Sequence, residues 1–115
     1  MEQVDCVAMP FDGQSVEVIR DSDGQTWVSV RSVCKAIGVE VERQRRKLEA
    51  DQKFNCGHMP AVALDGKNRE LFCISLVDLT GWLYSINTNK IREDSRPRLL
   101  AYQKECALVL HKHFM

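Results

Sequence analysis

The densest cluster of chemistry-bearing side chains in this sequence is Arg43-Gln-Arg-Arg-Lys47. Arginine and glutamine can make bidentate contacts to guanine and adenine edges, and lysine can meet phosphate. Arg43, Gln44, Arg45, Arg46 and Lys47 would grip an acidic protein surface equally well. Glu40, Glu42 and Glu49 flank the cluster, so the alternative is a solvated helix face on which these acids pair with the bases. A second basic group, Arg92, Arg96 and Arg98 with Lys90, is diluted by Glu93 and Asp94 and reads as a solvated linker.

Covalent chemistry finds little support. His58, His111 and His113 stand in no nucleophile or metal pattern, and neither G-x-S-x-G nor H-E-x-x-H occurs. Cys106 and His111 share a helix but point about 140° apart at 3.6 residues per turn. The five cysteines, Cys6, Cys34, Cys56, Cys73 and Cys106, are odd in number and contain no C-x-x-C. Neither a disulfide framework nor a zinc knuckle is signalled. A glycine-rich phosphate loop is also missing. The expectation is a domain without catalytic residues, metal ligands or cofactor, acting by surface recognition. Trp27 and Trp82, each among apolar neighbours, are expected in the core.

The elements that must hold these residues follow from hydrophobic period. Ser15 to Ile19 and Thr26 to Val30 alternate apolar with polar around the turn Asp21-Ser-Asp-Gly24, which predicts a β-hairpin. Val30, Val33, Cys34 and Ile37 fall at helical spacing, with Ser29 or Ser32 as cap and Gly38 as stop. A second short helix, 41–48, carries the basic cluster. The pair has the outline of a helix-turn-helix, as any αα-hairpin does. Met59 to Leu64 and Glu70 to Ser75 flank the turn Asp65-Gly-Lys-Asn68 as a second hairpin. Ser75 with Asp78 caps a third helix, whose buried face is Leu76, Val77, Leu79, Trp82, Leu83 and Ile86 and whose end is Asn87-Thr-Asn89. Pro97 opens a last helix of about eighteen residues, striped by Leu99, Gln103, Cys106, Leu110 and Phe114 and widened by Leu100 and Ala107.

These elements give an α+β fold: two β-hairpins in a small antiparallel sheet, packed with about four helices, the last long and C-terminal. Residues 1–9 lack a period and are expected to be a loose lead-in to one domain over 10–115. Formal charge is zero, yet the first thirty residues hold six acids against one base, a net of −5, and the rest carries +5. That split hints at an anionic partner for the basic portion. With no signal peptide and no membrane-length apolar run, the expected location is a reducing cytoplasm and no membrane partner is expected.

Several stretches together resemble the amino-terminal domain family of phage antirepressors. They are Trp27-Val-Ser-Val-Arg-Ser-Val-Cys-Lys-Ala-Ile-Gly-Val39, Gln44 with Lys47-Leu48, Asp65-Gly-Lys-Asn-Arg-Glu70, Leu79-Thr-Gly-Trp-Leu-Tyr-Ser-Ile-Asn87 and Tyr102-Gln-Lys-Glu-Cys106. In order they cover about 10 to 114. The first also resembles the wider BRO amino-terminal domain of viral proteins. The narrower resemblance implies a regulator that binds and inactivates a phage repressor in a bacterial host cell, promoting lytic gene expression. The wider one implies DNA binding. A third expectation is an assembly module that forms a homo-oligomer through its C-terminal helix, where Tyr102, Val109 and Phe114 leave the main stripe. Antirepressors of this type usually carry a further carboxyl-terminal domain, whereas this chain ends at His113-Phe-Met115, as a stand-alone or truncated form would.

Overall fold

Both expected hairpins form, and each opens into a wider sheet. The computed structural model describes the backbone of residues 4–11, 13–87 and 91–114, and within these every side chain except those of residues 4, 11, 106, 107 and 109–114. The strands are β1 (Val4–Asp5), β2 (Val7–Phe11), β3 (Gln14–Arg20), β4 (Thr26–Ser29), β5 (Cys56–Val62) and β6 (Asn68–Ser75). The helices are α1 (Val30–Ile37), α2 (Val41–Ala50), α3 (Leu76–Ser85) and α4 (Arg96–Phe114), the last preceded by a 3-10 turn at Glu93–Ser95. The α+β class is therefore the observed one.

Within the expected loose lead-in, residues 1–9, the structure places strand at Val4–Asp5 and from Val7 onward. The sheet order is β1-β5-β6-β4-β3-β2, so its two ends are neighbours in sequence, separated only by Cys6. β1 runs parallel to β5, and β2 antiparallel to β3. Following the antiparallel pairings across the sheet gives β1 and β2 the same direction. Residues 4–11 thus act as one strand that changes partner at Cys6, whose amide donates to the Val62 carbonyl at 2.9 Å. The sheet curls until its ends meet, as in a short barrel.

Closure gives the strands two buried faces and the molecule two cores. Inside the curl lie Ile19, Trp27, Ala61, Leu71 and Cys73, with Cys6 and Met59 against them. On the outer face Val16, Val28 and Ile74 meet Val33, Ile37, Leu48, Leu79, Trp82, Leu83, Leu99 and Tyr102 from the helices. The period-2 pleat sends successive residues to opposite cores, which is why Cys73, Ile74 and Ser75 are all buried. Both tryptophans are core residues, as expected.

Closure also explains a residue whose position the alternation pattern does not give. Glu17 shares the pleat face of Ile19 and is 4% exposed. Its carboxylate accepts from Ser29 Oγ at 2.9 Å, Arg31 Nε at 3.1 Å, Arg31 Nη2 at 3.0 Å and the Leu64 amide at 3.1 Å. Burial would raise the Glu17 carboxyl, but the hydrogen bonds from Arg31, the Leu64 amide and Ser29 outweigh it and hold the group below its ordinary value. These bonds tie β3, the end of β4, the start of α1 and the end of β5 together at the seam of the curl.

Helix boundaries follow local chemistry. Ser29 caps α1, accepting from the Ser32 amide at 3.5 Å, and Gly38 ends it at φ 81° with its amide on the Cys34 carbonyl. Ser75 caps α3 through the Asp78 amide at 3.3 Å. In α4, Leu99, Tyr102 and Gln103 are buried, and Gln103 Nε2 donates to the Leu83 carbonyl at 3.0 Å. Two expectations change here: Tyr102 is core rather than off the stripe, and Leu100 is 51% exposed rather than part of it. Val77 of α3 is likewise exposed, at 67%. The expected positions of the Cys106, Ala107, Val109, Leu110, His111, His113 and Phe114 side chains, and of Thr88 to Lys90, lie outside the described residues.

Candidate functional site

The residues of α2 favour a helix without help from a capping side chain. Residues 41–50 contain no glycine or proline, Glu42 stands in the first turn and Lys47 in the last, which suits the helix dipole. The helix packs through Gln44 and Leu48, both buried, with half-buried Val41. At 100° per residue this divides the exposed surface into two sides. One side carries Glu42, Arg45 and Glu49; the other carries Arg43, Arg46 and Lys47.

The first side is closed on itself. Arg45 Nη2 meets Glu42 Oε2 at 2.6 Å and Arg45 Nη1 meets Glu49 Oε1 at 2.7 Å. The hydrogen bond from Arg45 lowers the Glu42 carboxyl below its usual range. For Arg45 the intrahelical pairing described above as the alternative is what the structure shows.

Gln44 is largely withdrawn from the surface, although it still lines the cleft described below. It is 7% exposed, and its Oε1 accepts the Trp82 Nε1 hydrogen at 3.1 Å. A buried indole donor needs such a partner. Val41, Gln44 and Leu48 sit at helical spacing, so the inward position was signalled by period even though the residue type suggested base reading.

The second side opens onto a cleft of about 610 Å³ between α2 and the segment that leaves α3. Its apolar floor is formed by Val39, Ile86 and Ile91, and its basic rim by Arg43, Lys47 and Arg92, with Gly38, Glu40, Gln44 and Asn87 completing the wall. Ile86 is buried, whereas Val39 and Ile91 are half-buried. Arg43 and Lys47 are exposed and form no ion pair among the described residues. Arg92 makes one long contact to Asp94 at 3.4 Å, with its side chain 81% exposed.

The structure therefore joins one member of the second basic group to two of the first. Arg46 is exposed but does not line the cleft, and Arg96 and Arg98, on the first turn of α4, do not line it either. The floor residues went unrecognised in the sequence. Ile91, a lone aliphatic residue in a charged linker, was the available signal.

A close packing contact sets the geometry of this cleft. A Cβ on Gly38 would stand 2.5 Å from Ser95 Oγ, so Ser95 rests directly on the glycine at the end of α1. Ser95 is buried and its amide donates to the Arg92 carbonyl at 2.9 Å. Gly38 thus fixes the far wall, and with it Arg92, as well as ending α1.

The other reactive side chains among the described residues point to no second site. Burial pushes the Cys34 and Cys73 thiols up to about 12 and those of Cys6 and Cys56 to about 11, so all four stay protonated at neutral pH. His58 lies 3.7 Å from Glu49 and 3.5 Å from Glu70 on the surface. Among the described residues no group of three or more histidine, cysteine, aspartate or glutamate side chains has the arrangement of a metal site. Also among them, no helix is long and apolar enough to cross a membrane.

Residues 7–115 match the P22_AR N-terminal domain family. No curated protein and no solved structure matches the chain.

Proposed function

The chain belongs to the P22_AR N-terminal domain family, the amino-terminal domain of phage antirepressors, and from that premise we propose that it binds a phage repressor and inactivates it, promoting lytic gene expression. It acts by surface recognition in the cytoplasm of the bacterial host, without covalent chemistry and without a metal or cofactor. The observation that carries this reading is the cleft between α2 and Ile86, Asn87, Ile91 and Arg92. It combines exposed cations, of which Arg43 and Lys47 form no ion pair among the described residues, with an apolar floor, the composition of a protein-docking surface.

DNA binding finds less support at the same place. Gln44, the one amide of the basic cluster, is occupied by Trp82, and Arg45 is neutralised by Glu42 and Glu49. That leaves few of the phosphate and base contacts a recognition helix uses.

Co-purification of the tagged chain from cells with a resident prophage repressor, repeated after nuclease treatment, tests the proposal. Recovery of the repressor after nuclease is the expected result. Recovery of DNA alone, lost with nuclease and at raised salt, would replace it with the DNA-binding reading.

A further inference from the structure

We infer that the cleft takes an acidic peptide segment of the partner, in which carboxylates flank an aliphatic side chain. This deepens the reading of the domain as a repressor-binding module and rests on it for the source of the segment. The occupant follows from complementarity. Arg43, Lys47 and Arg92 surround the floor formed by Val39, Ile86 and Ile91. A volume of about 610 Å³ is ample for a few side chains and falls within the roughly 300–1,000 Å³ usual for ligand pockets. Carboxylates on the rim would steer and orient the segment, and the aliphatic group would lose its contact with water against the isoleucines.

Two features favour a peptide over a nucleic acid here. Among the described residues no aromatic side chain lines the cleft, so bases have no stacking platform. Glu40 stands in the wall beside the cations, which suits a segment bearing discrete carboxylates with amide groups between them better than a continuous phosphate chain. Ser95 packs directly on Gly38, which braces the end of α1 against the turn that carries Arg92 and favours a groove already shaped before binding.

The test uses a fluorescein-labelled peptide of sequence Glu-Glu-Leu-Glu-Glu-Leu, a matched peptide with serine in place of leucine, and a duplex DNA of the same label. Fluorescence polarisation is read for the full chain and for the variants Arg43→Glu/Lys47→Glu and Arg46→Glu. Binding of the leucine peptide is expected to weaken by about tenfold or more in the double variant. Arg46→Glu, whose side chain lies outside the cleft, is expected to change it by no more than about twofold. The serine peptide is expected to bind about tenfold more weakly, since the floor gains nothing from it.

Equal binding of the two peptides would overturn the inference, as would equal losses in both variants, tighter binding of DNA, or no peptide binding at all. Circular dichroism of each variant confirms that the fold is kept. Repressor captured equally by the wild type and the double variant would sink the cleft while sparing the repressor-binding reading. Peptide bound with no repressor captured would do the reverse.

Discussion

Glu17 and the α2 cleft place charge in opposite ways. At the seam of the curled sheet, one buried carboxylate meets Ser29, Arg31 and the Leu64 amide, and its hydrogen-bonding capacity is consumed inside the fold. Along α2, Arg43 and Lys47 reach the surface with no ion-pair partner among the described residues, beside apolar floor residues that packing has not fully covered. The first arrangement is costly to break and offers nothing to a ligand. The second contributes little to stability and is available for recognition. Charge type alone does not separate them; the location of the partner does.

The largest effect expected from breaking this contrast is at Glu17. Glu17→Ala strands Ser29, the Leu64 amide and Arg31, and should cost about 2–4 kcal/mol, slightly under the usual figure for a buried pair because Arg31 keeps an edge in water. Urea denaturation measures it, and a loss near zero would mean that the seam does not hold the sheet closed. The same residue sets an acid dependence. Its folded-state value lies below its ordinary 4.5, so its contribution is complete above about pH 4.5 and is lost as pH falls through the lower folded value. Glu17→Gln should flatten the stability curve in that range.

Gln44 sharpens the contrast from within α2, since it belongs to the basic cluster in sequence and to the core in space. Gln44→Ala leaves the Trp82 indole hydrogen without its acceptor and should cost about 1–3 kcal/mol in thermal or urea unfolding. Repressor capture by the folded fraction should fall by no more than about twofold, because Gln44 meets the cleft with only 7% of its surface exposed. Unchanged stability with lost capture would return Gln44 to the contact surface.

How far the sequence revealed this architecture depends on whether one element or two determined each residue's surroundings. Ser29 and Gly38 bounded α1, and the turns at Asp21–Gly24 and Asp65–Asn68 announced their hairpins, because caps and turns are local chemistry. Residues 4–11 were opaque, since a strand that changes partner at Cys6 needs no regular period of its own. Glu17 read as an outward polar residue because alternation does not reveal that a sheet will curl and bury both faces. For the site, the basic cluster was visible, but its sorting into Arg43 and Lys47 at the cleft, Arg46 outside it, Gln44 within and Arg45 paired was not. That sorting depends on where α3, residues 86–87 and residues 91–95 pack, which no spacing within α2 can show. Arg92 and Ile91 joined the site for the same tertiary reason.

Amide hydrogen exchange of the chain alone and bound to the captured repressor tests most directly whether the cleft, where Arg43 and Lys47 form no ion pair among the described residues, is the surface that binds. Slowed exchange concentrated in residues 38–47 and 86–95 on binding is the expected result. Protection confined to α4 around Leu100 and Leu108, with the cleft segments unchanged, would contradict it and place the working surface on the C-terminal helix.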